Sequence, residues 1–195
     1  MILVKNLILP LTILGVYDLF FARFFNGRWF NIHFFANAII TLLATTPTAL
    51  LNDNVVNVVD VASAVHLYHA LFFKLKGHDL FHHALFVPML SLVGNWYYPT
   101  NQRLVKNTAL FICGLPGMVT YFLLVLKKNG LVTDRCEKTV TMYLNLFMRC
   151  PGLLYATLNE LPSTLIGWCC LGLINFNGIY YAKEAYNAYV KAISK

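Results

Sequence analysis

Charge is what this sequence has least of: only 12% of its 195 residues are Asp, Glu, Lys or Arg. Soluble domains carry about 25%. With 58% hydrophobic residues and a mean hydropathy of +0.62, the chain has more apolar surface than a soluble fold of this length can bury. That excludes a soluble globular domain and places the chain in a bilayer. Cysteine is sparse and badly spaced for metal or redox work. Cys113, Cys136, Cys150, Cys169 and Cys170 form no CxxC pair, and four of them lie inside apolar runs, where a small buried hydrophobe is the simplest reading. A disulfide scaffold is excluded. There is no Asn-x-Ser/Thr sequon, so glycosylation marks neither side of the membrane. No repeat or low-complexity linker divides the chain, so residues 1–195 are expected to make one integral domain. The net charge of +7 is dispersed between apolar runs and forms no continuous patch, which sets nucleic acid aside as a partner.

What is present is a series of apolar runs. Seven can be drawn, at about 2–22, 29–51, 56–75, 82–98, 104–126, 138–158 and 164–188. Each is near the roughly 20 residues that cross a bilayer as a helix. Polar or turn-forming stretches separate them, such as Asn26-Gly27-Arg28, Asn52-Asp53-Asn54, Pro99-Thr100-Asn101 and Glu160-Leu161-Pro162-Ser163. The expected fold class is all-α, a polytopic transmembrane bundle of about seven helices. Residues 1–25 lack a small-residue cleavage site and read as a retained first helix. With seven spans, Arg23, Arg28, Lys74, Lys76, Lys127, Lys128, Arg135, Lys138, Lys183, Lys191 and Lys195 fall on one side. Only Lys5, Arg103 and Lys106 fall on the other, eleven against three. The positive-inside rule then puts the C-terminus in the cytosol. Trp29, Trp96, Tyr97 and Tyr98 sit at run ends and read as interfacial belt residues.

Within this apolar chain, His78-Asp79-Leu80-Phe81-His82-His83 packs three of six histidines and a carboxylate into six residues. On a helix, His78 and His82 share one face, and Asp79 and His83 share the next. Imidazole can move a proton near neutrality, attack as a nucleophile, or bind a metal. Chemistry at a cytosolic mouth is therefore expected, against the plainer reading of a His-rich interfacial turn. The third run carries His66 and His69 on one stripe that leads to the same turn. A hairpin brings His69, His82 and His83 to similar depth if their faces agree. At the opening of the fourth helix, the N-terminal partial charge favours neutral rings on His82 and His83, while Asp79 favours the imidazolium.

Other ionisable groups inside the runs are Asp18, Asp60, Arg149 and, nearer a run end, Glu160. Such groups are costly in a membrane and face a polar interior or a partner. Arg149 lies midway along the sixth run, before Cys150-Pro151-Gly152. It either faces a cavity or bonds to Asp60 or to carbonyls freed by Pro151.

Arg28-Trp29-Phe30-Asn31 opening the second run, Tyr68 in the third, His82-His83 in the fourth, and Phe147-Met148-Arg149 before Pro151 in the sixth carry a resemblance. Together they resemble the TLC-domain family of ceramide synthases and lipid-homeostasis proteins, over a core of residues 28–190. The resemblance implies six helices in a barrel around a lipid cavity, with residues 1–25 as an extra helix. It implies acyl transfer from acyl-CoA to a lipid amine or hydroxyl, with His82 and His83 in the active site. The acidic half of the ceramide-synthase motif is missing, since Phe111-Ile112-Cys113-Gly114-Leu115-Pro116-Gly117 holds no acid and no histidine.

The expected catalytic set is His82, His83, Asp79 and His69, with His66, Arg149, Asp60 and Tyr68 binding substrate and no metal. Acyl-CoA is the expected co-substrate, with no tightly bound cofactor. Membrane lipids are the partners, the endoplasmic reticulum is the location, and a homodimer is left open. One alternative is a non-catalytic protein that binds lipid or regulates lipid composition. Another is a metal enzyme, because His66-x-x-His69 and His78-x-x-x-His82-His83 resemble the histidine boxes of membrane desaturases. Six histidines fall short of the roughly eight those boxes use, but three suffice for a single zinc. The histidine-box elongases are a near neighbour of both readings.

Overall fold

The computed structural model describes residues 2–47, 50, 55–75 and 77–194. It is 84% helical, and the described residues contain no strand. The elements are α1 (Ile2–Phe20), α2 (Arg28–Thr45), α3 (Val58–Phe72), α4 (Gly77–Tyr97), α5 (Gln102–Ala109), α6 (Leu115–Lys128), α7 (Asp134–Leu144), α8 (Cys150–Asn159) and α9 (Leu165–Ile193). A π turn, Leu110–Gly114, joins α5 to α6, and a second, Asn145–Arg149, joins α7 to α8. Among the described residues the chain thus forms seven helical rods, one for each apolar run.

Among the described residues three rods are long and apolar enough to cross a membrane: Asn6–Phe24, Gln102–Lys128 and Leu165–Ile193. Of the others, α2 and α3 are shorter than the runs suggest. α2 ends at Thr45, not near 51, because Pro47 forces Thr46 into an extended conformation (ψ 132°). The expected turn Asn52-Asp53-Asn54 lies outside the described residues. α3 has 15 residues, roughly 22 Å at 1.5 Å per residue, against about 30 Å of hydrocarbon. α4 begins at Gly77, five residues before the expected start.

Both π turns have one local cause. Each precedes the same pattern, Leu115-Pro116-Gly117 in one case and Cys150-Pro151-Gly152 in the other. A proline ring inside an α-helix collides with the carbonyl four residues back. The wider π turn moves that carbonyl aside, so the rod continues past the proline. The glycine after each proline meets a neighbour. A Cβ on Gly117 would lie 2.6 Å from Asn37 Nδ2 of α2, and one on Gly152 would overlap the Phe111 ring.

The apolar core joins α1, α2 and α3 through Leu14, Ile32, Ile40, Val58, Val61 and Val65, with Ala109 of α5 against them. A polar clamp holds the same three N-terminal rods. Buried Asp18 accepts hydrogen bonds from Arg28 Nε (2.7 Å) and Nη2 (2.5 Å) and from the Tyr68 hydroxyl (2.7 Å). Elsewhere α2 packs on α3 and α6, α3 on α4, α4 on α9, α9 on α7 and α8, and α6 on α7. α1 packs mainly on α3.

Candidate functional site

Four histidines from three helices converge. His33 comes from α2, His66 and His69 from α3, and His83 from α4. His66 and His69 are three residues apart and so share a helix face. His83 Nε2 lies 3.0 Å from His69 Nδ1, a hydrogen bond between α3 and α4. The His66 ring centre is 5.3 Å from that of His83 and 6.0 Å from that of His33. His66 Nδ1 lies 2.6 Å from the carbonyl oxygen of Ala62. A carbonyl only accepts, so Nδ1 carries the proton, and Nε2 is the basic nitrogen of the neutral ring. Trp29 braces the group, stacked on His69 at 3.6 Å and perpendicular to His33 at 3.8 Å. Tyr121 of α6 stacks on His33 from the other side at 4.3 Å.

His33 and His66 open onto a cavity of about 450 Å3. Asn37 and Phe30 come to it from α2, Thr120 and Tyr121 from α6, and Thr141 and Asn145 from α7 and the second π turn. Arg149 enters from that same turn, and Asn177, Tyr181 and Glu184 from α9. Arg149 is enclosed by protein on nearly every side, yet keeps some accessible surface because it faces this cavity. Its Nη1 donates to Asn145 Oδ1, and Asn145 is oriented by donating from Nδ2 to the Thr141 carbonyl (2.7 Å). A second cavity, about 130 Å3 and lined by apolar side chains such as Val59, Val93, Leu104 and Ile174, shares the wall residues Ile112 and Cys113 with the first.

The structure brings together His69, His83, His66 and Arg149 of the expected set, as one cluster and one cavity. The side chains of His78, Asp79 and His82 lie outside the described residues. Their backbone belongs to α4, whose start at Gly77 puts His82 and His83 in the second turn. The helix-terminal charge falls off within the first turn, so it does not set the protonation of His83.

Two expected binding residues stand elsewhere. Tyr68 is buried and gives its hydroxyl to Asp18. Asp60 is the third residue of α3 and closes a capping box: its Oδ2 accepts from Asn57 N (3.0 Å), while Asn57 Oδ1 accepts from Asp60 N (3.1 Å). It therefore does not pair with Arg149. Glu160 pairs with Arg103 at 3.6 Å. Trp29 is a wall of the histidine cluster, and Tyr97 and Tyr98 are buried; Trp96 alone of the four is strongly exposed.

The residues missed from the sequence are His33, Asn37, Asn145 and Asn177. Each is a polar group in an apolar run, the same signal that singled out His66 and Arg149. Among the described residues, no group of three or more His, Cys, Asp or Glu is placed to hold a metal ion; His69 and His83 point at each other. Comparison of the chain with protein-family models, curated proteins and solved structures gives no match.

Proposed function

We propose that this protein transfers an acyl group from acyl-CoA to an amine or hydroxyl of a membrane lipid, within a TLC-like barrel. One observation carries the reading: the His83–His69 pair stands beside His66, whose ring lines a polar cavity. In this scheme His66 Nε2 removes the acceptor's proton as the acceptor lone pair attacks the thioester carbonyl. The tetrahedral oxyanion collapses, the carbon–sulfur bond breaks, and the departing thiolate takes the proton back from the imidazolium. The lipid keeps a new amide or ester bond. His83 and His69 lie behind His66 and hold it in place. His82 and Asp79 remain candidates from their place on α4 alone.

The packing order α2, α3, α4, α9, α7–α8, α5–α6 and back to α2, with α1 outside it, supports a barrel of six rods. A cytosolic C-terminus, a location in the endoplasmic reticulum, and acyl-CoA as a dissociable co-substrate belong to the same proposal. The test is release of free CoA thiol by the purified protein in lipid nanodiscs, given acyl-CoA with long-chain amines or alcohols. Turnover is expected, and His66→Asn is expected to lower it by about 100-fold or more, as for loss of a general base. Full turnover in His66→Asn would remove His66 from the mechanism. If wild-type protein released no thiol with any acceptor, the non-catalytic lipid-binding reading would replace the enzyme. The absence of acid and histidine from 111–117 already favours that second reading.

A further inference from the structure

Arg149 is a cation deep in the protein that no carboxylate touches among the described residues. Tyr121, Cys113, Cys150 and Tyr181 stand around it, all of them uncharged at neutral pH. Among the described residues its side-chain hydrogen-bond partner is Asn145, itself neutral. Lys138, the other cation of the cavity, is matched by Glu137 at 3.0 Å. Glu184 also lines the cavity but makes no ion pair with Arg149. A buried charge without a counter-charge is strongly disfavoured, and chains retain one where a ligand supplies the missing sign.

Two polar atoms in this lining are buried without a hydrogen-bond partner: Arg149 Nε and Thr120 Oγ1. Both can donate. Around them stand the side-chain amides of Asn37, Asn145 and Asn177. Beyond the shared wall of Ile112 and Cys113 lies the apolar cavity. We infer that Arg149 and Thr120 form a binding site for the anionic group, phosphate or carboxylate, of an amphiphile whose apolar tail lies toward the cavity behind Ile112 and Cys113. The guanidinium gives an oxyanion charge-assisted hydrogen bonds, and it is carried into the cavity wall on the π turn Asn145–Arg149. The site does not depend on acyl transfer, because it is read by binding without turnover.

The experiment is native mass spectrometry of the full chain in a neutral detergent, with oleyl phosphate, oleyl alcohol and inorganic phosphate as probes. Oleyl phosphate is expected to bind one to one, about tenfold or more tighter than oleyl alcohol, which has the same tail and no charge. Inorganic phosphate at equal concentration is expected not to displace it. Arg149→Gln is expected to remove the preference for the anion. Asn145→Asp keeps the shape of the site and gives Arg149 an internal counter-charge, so it too is expected to lose oleyl phosphate by about tenfold. Equal binding of oleyl alcohol and oleyl phosphate by wild-type protein would overturn the inference. Displacement by inorganic phosphate would replace the amphiphile with a free anion, and undiminished binding by a folded Asn145→Asp would move the site away from Arg149.

Discussion

Asp18 is the residue on which α1, α2 and α3 meet, through two bonds from Arg28 and one from Tyr68. The Tyr68 hydroxyl is buried in the core and does not line the polar cavity. Tyr68→Phe therefore costs one bond to a charged acceptor, about 1.5–3 kcal/mol. In a chain of this size that is a fall of about 3–10 °C in the unfolding midpoint in detergent. Ligand binding and turnover are expected to stay at wild-type levels. Lost turnover at an unchanged midpoint would instead put Tyr68 against the substrate. At this scale the cost of charge in a membrane made Arg149 legible from sequence alone. His33 obeys the same rule, but its role depends on Trp29 and Tyr121. Trp29 lies one turn before it on α2, but the Tyr121 contact follows from the register of α2 against α6, which no residue pattern encodes.

Among the helices, α3 shows how one carboxylate supports two readings. An acid inside an apolar run looks like a site, yet Asn57-Val58-Val59-Asp60 also has the spacing of an N-terminal cap. The structure has the cap, with Asn57 Oδ1 accepting from Val59 N (2.8 Å) and Asp60 N (3.1 Å). Asn57→Ala is expected to destabilise the protein by about 0.5–2 kcal/mol. Asp60→Ala is expected to act in the same direction, and the double variant to cost less than the sum, since both belong to one box. Amide hydrogen exchange at Val59 and Asp60 is the readout for Asn57→Ala, with faster exchange expected in the first turn of α3 and no change in α9. Additive losses, or lost turnover without faster exchange, would speak for a role outside the cap. The π turns were legible only in part. Pro116 and Pro151 announce a disturbance, but whether a rod breaks, kinks or widens depends on what packs beside it.

At the scale of the whole molecule, seven apolar runs became seven rods among the described residues, because hydrophobic length survives any arrangement of the helices. Their neighbours did not follow from the sequence. α9 lies between α4 and α7–α8, and α2 beside α6, through contacts between segments far apart in the chain. If all seven rods span the membrane, eleven basic residues fall on one side against three on the other, which gives an orientation to test. In sealed microsomes with the cytosolic face outward, a tag after Lys195 is expected to be digested by added protease. Protection of the tag would reverse the orientation or change the number of spans.

Arg149 faces a cavity that α9 helps to enclose, through Asn177, Tyr181 and Glu184. During synthesis the arginine therefore exists before its enclosure does. At about 5–20 residues per second, the stretch from Arg149 to Asn177 takes on the order of a few seconds to emerge. For that interval the unfinished chain carries a cation with no assembled cavity around it. Slower translation beyond residue 150 lengthens the interval, so the rate at which the last helix is made bears directly on how much of the protein matures.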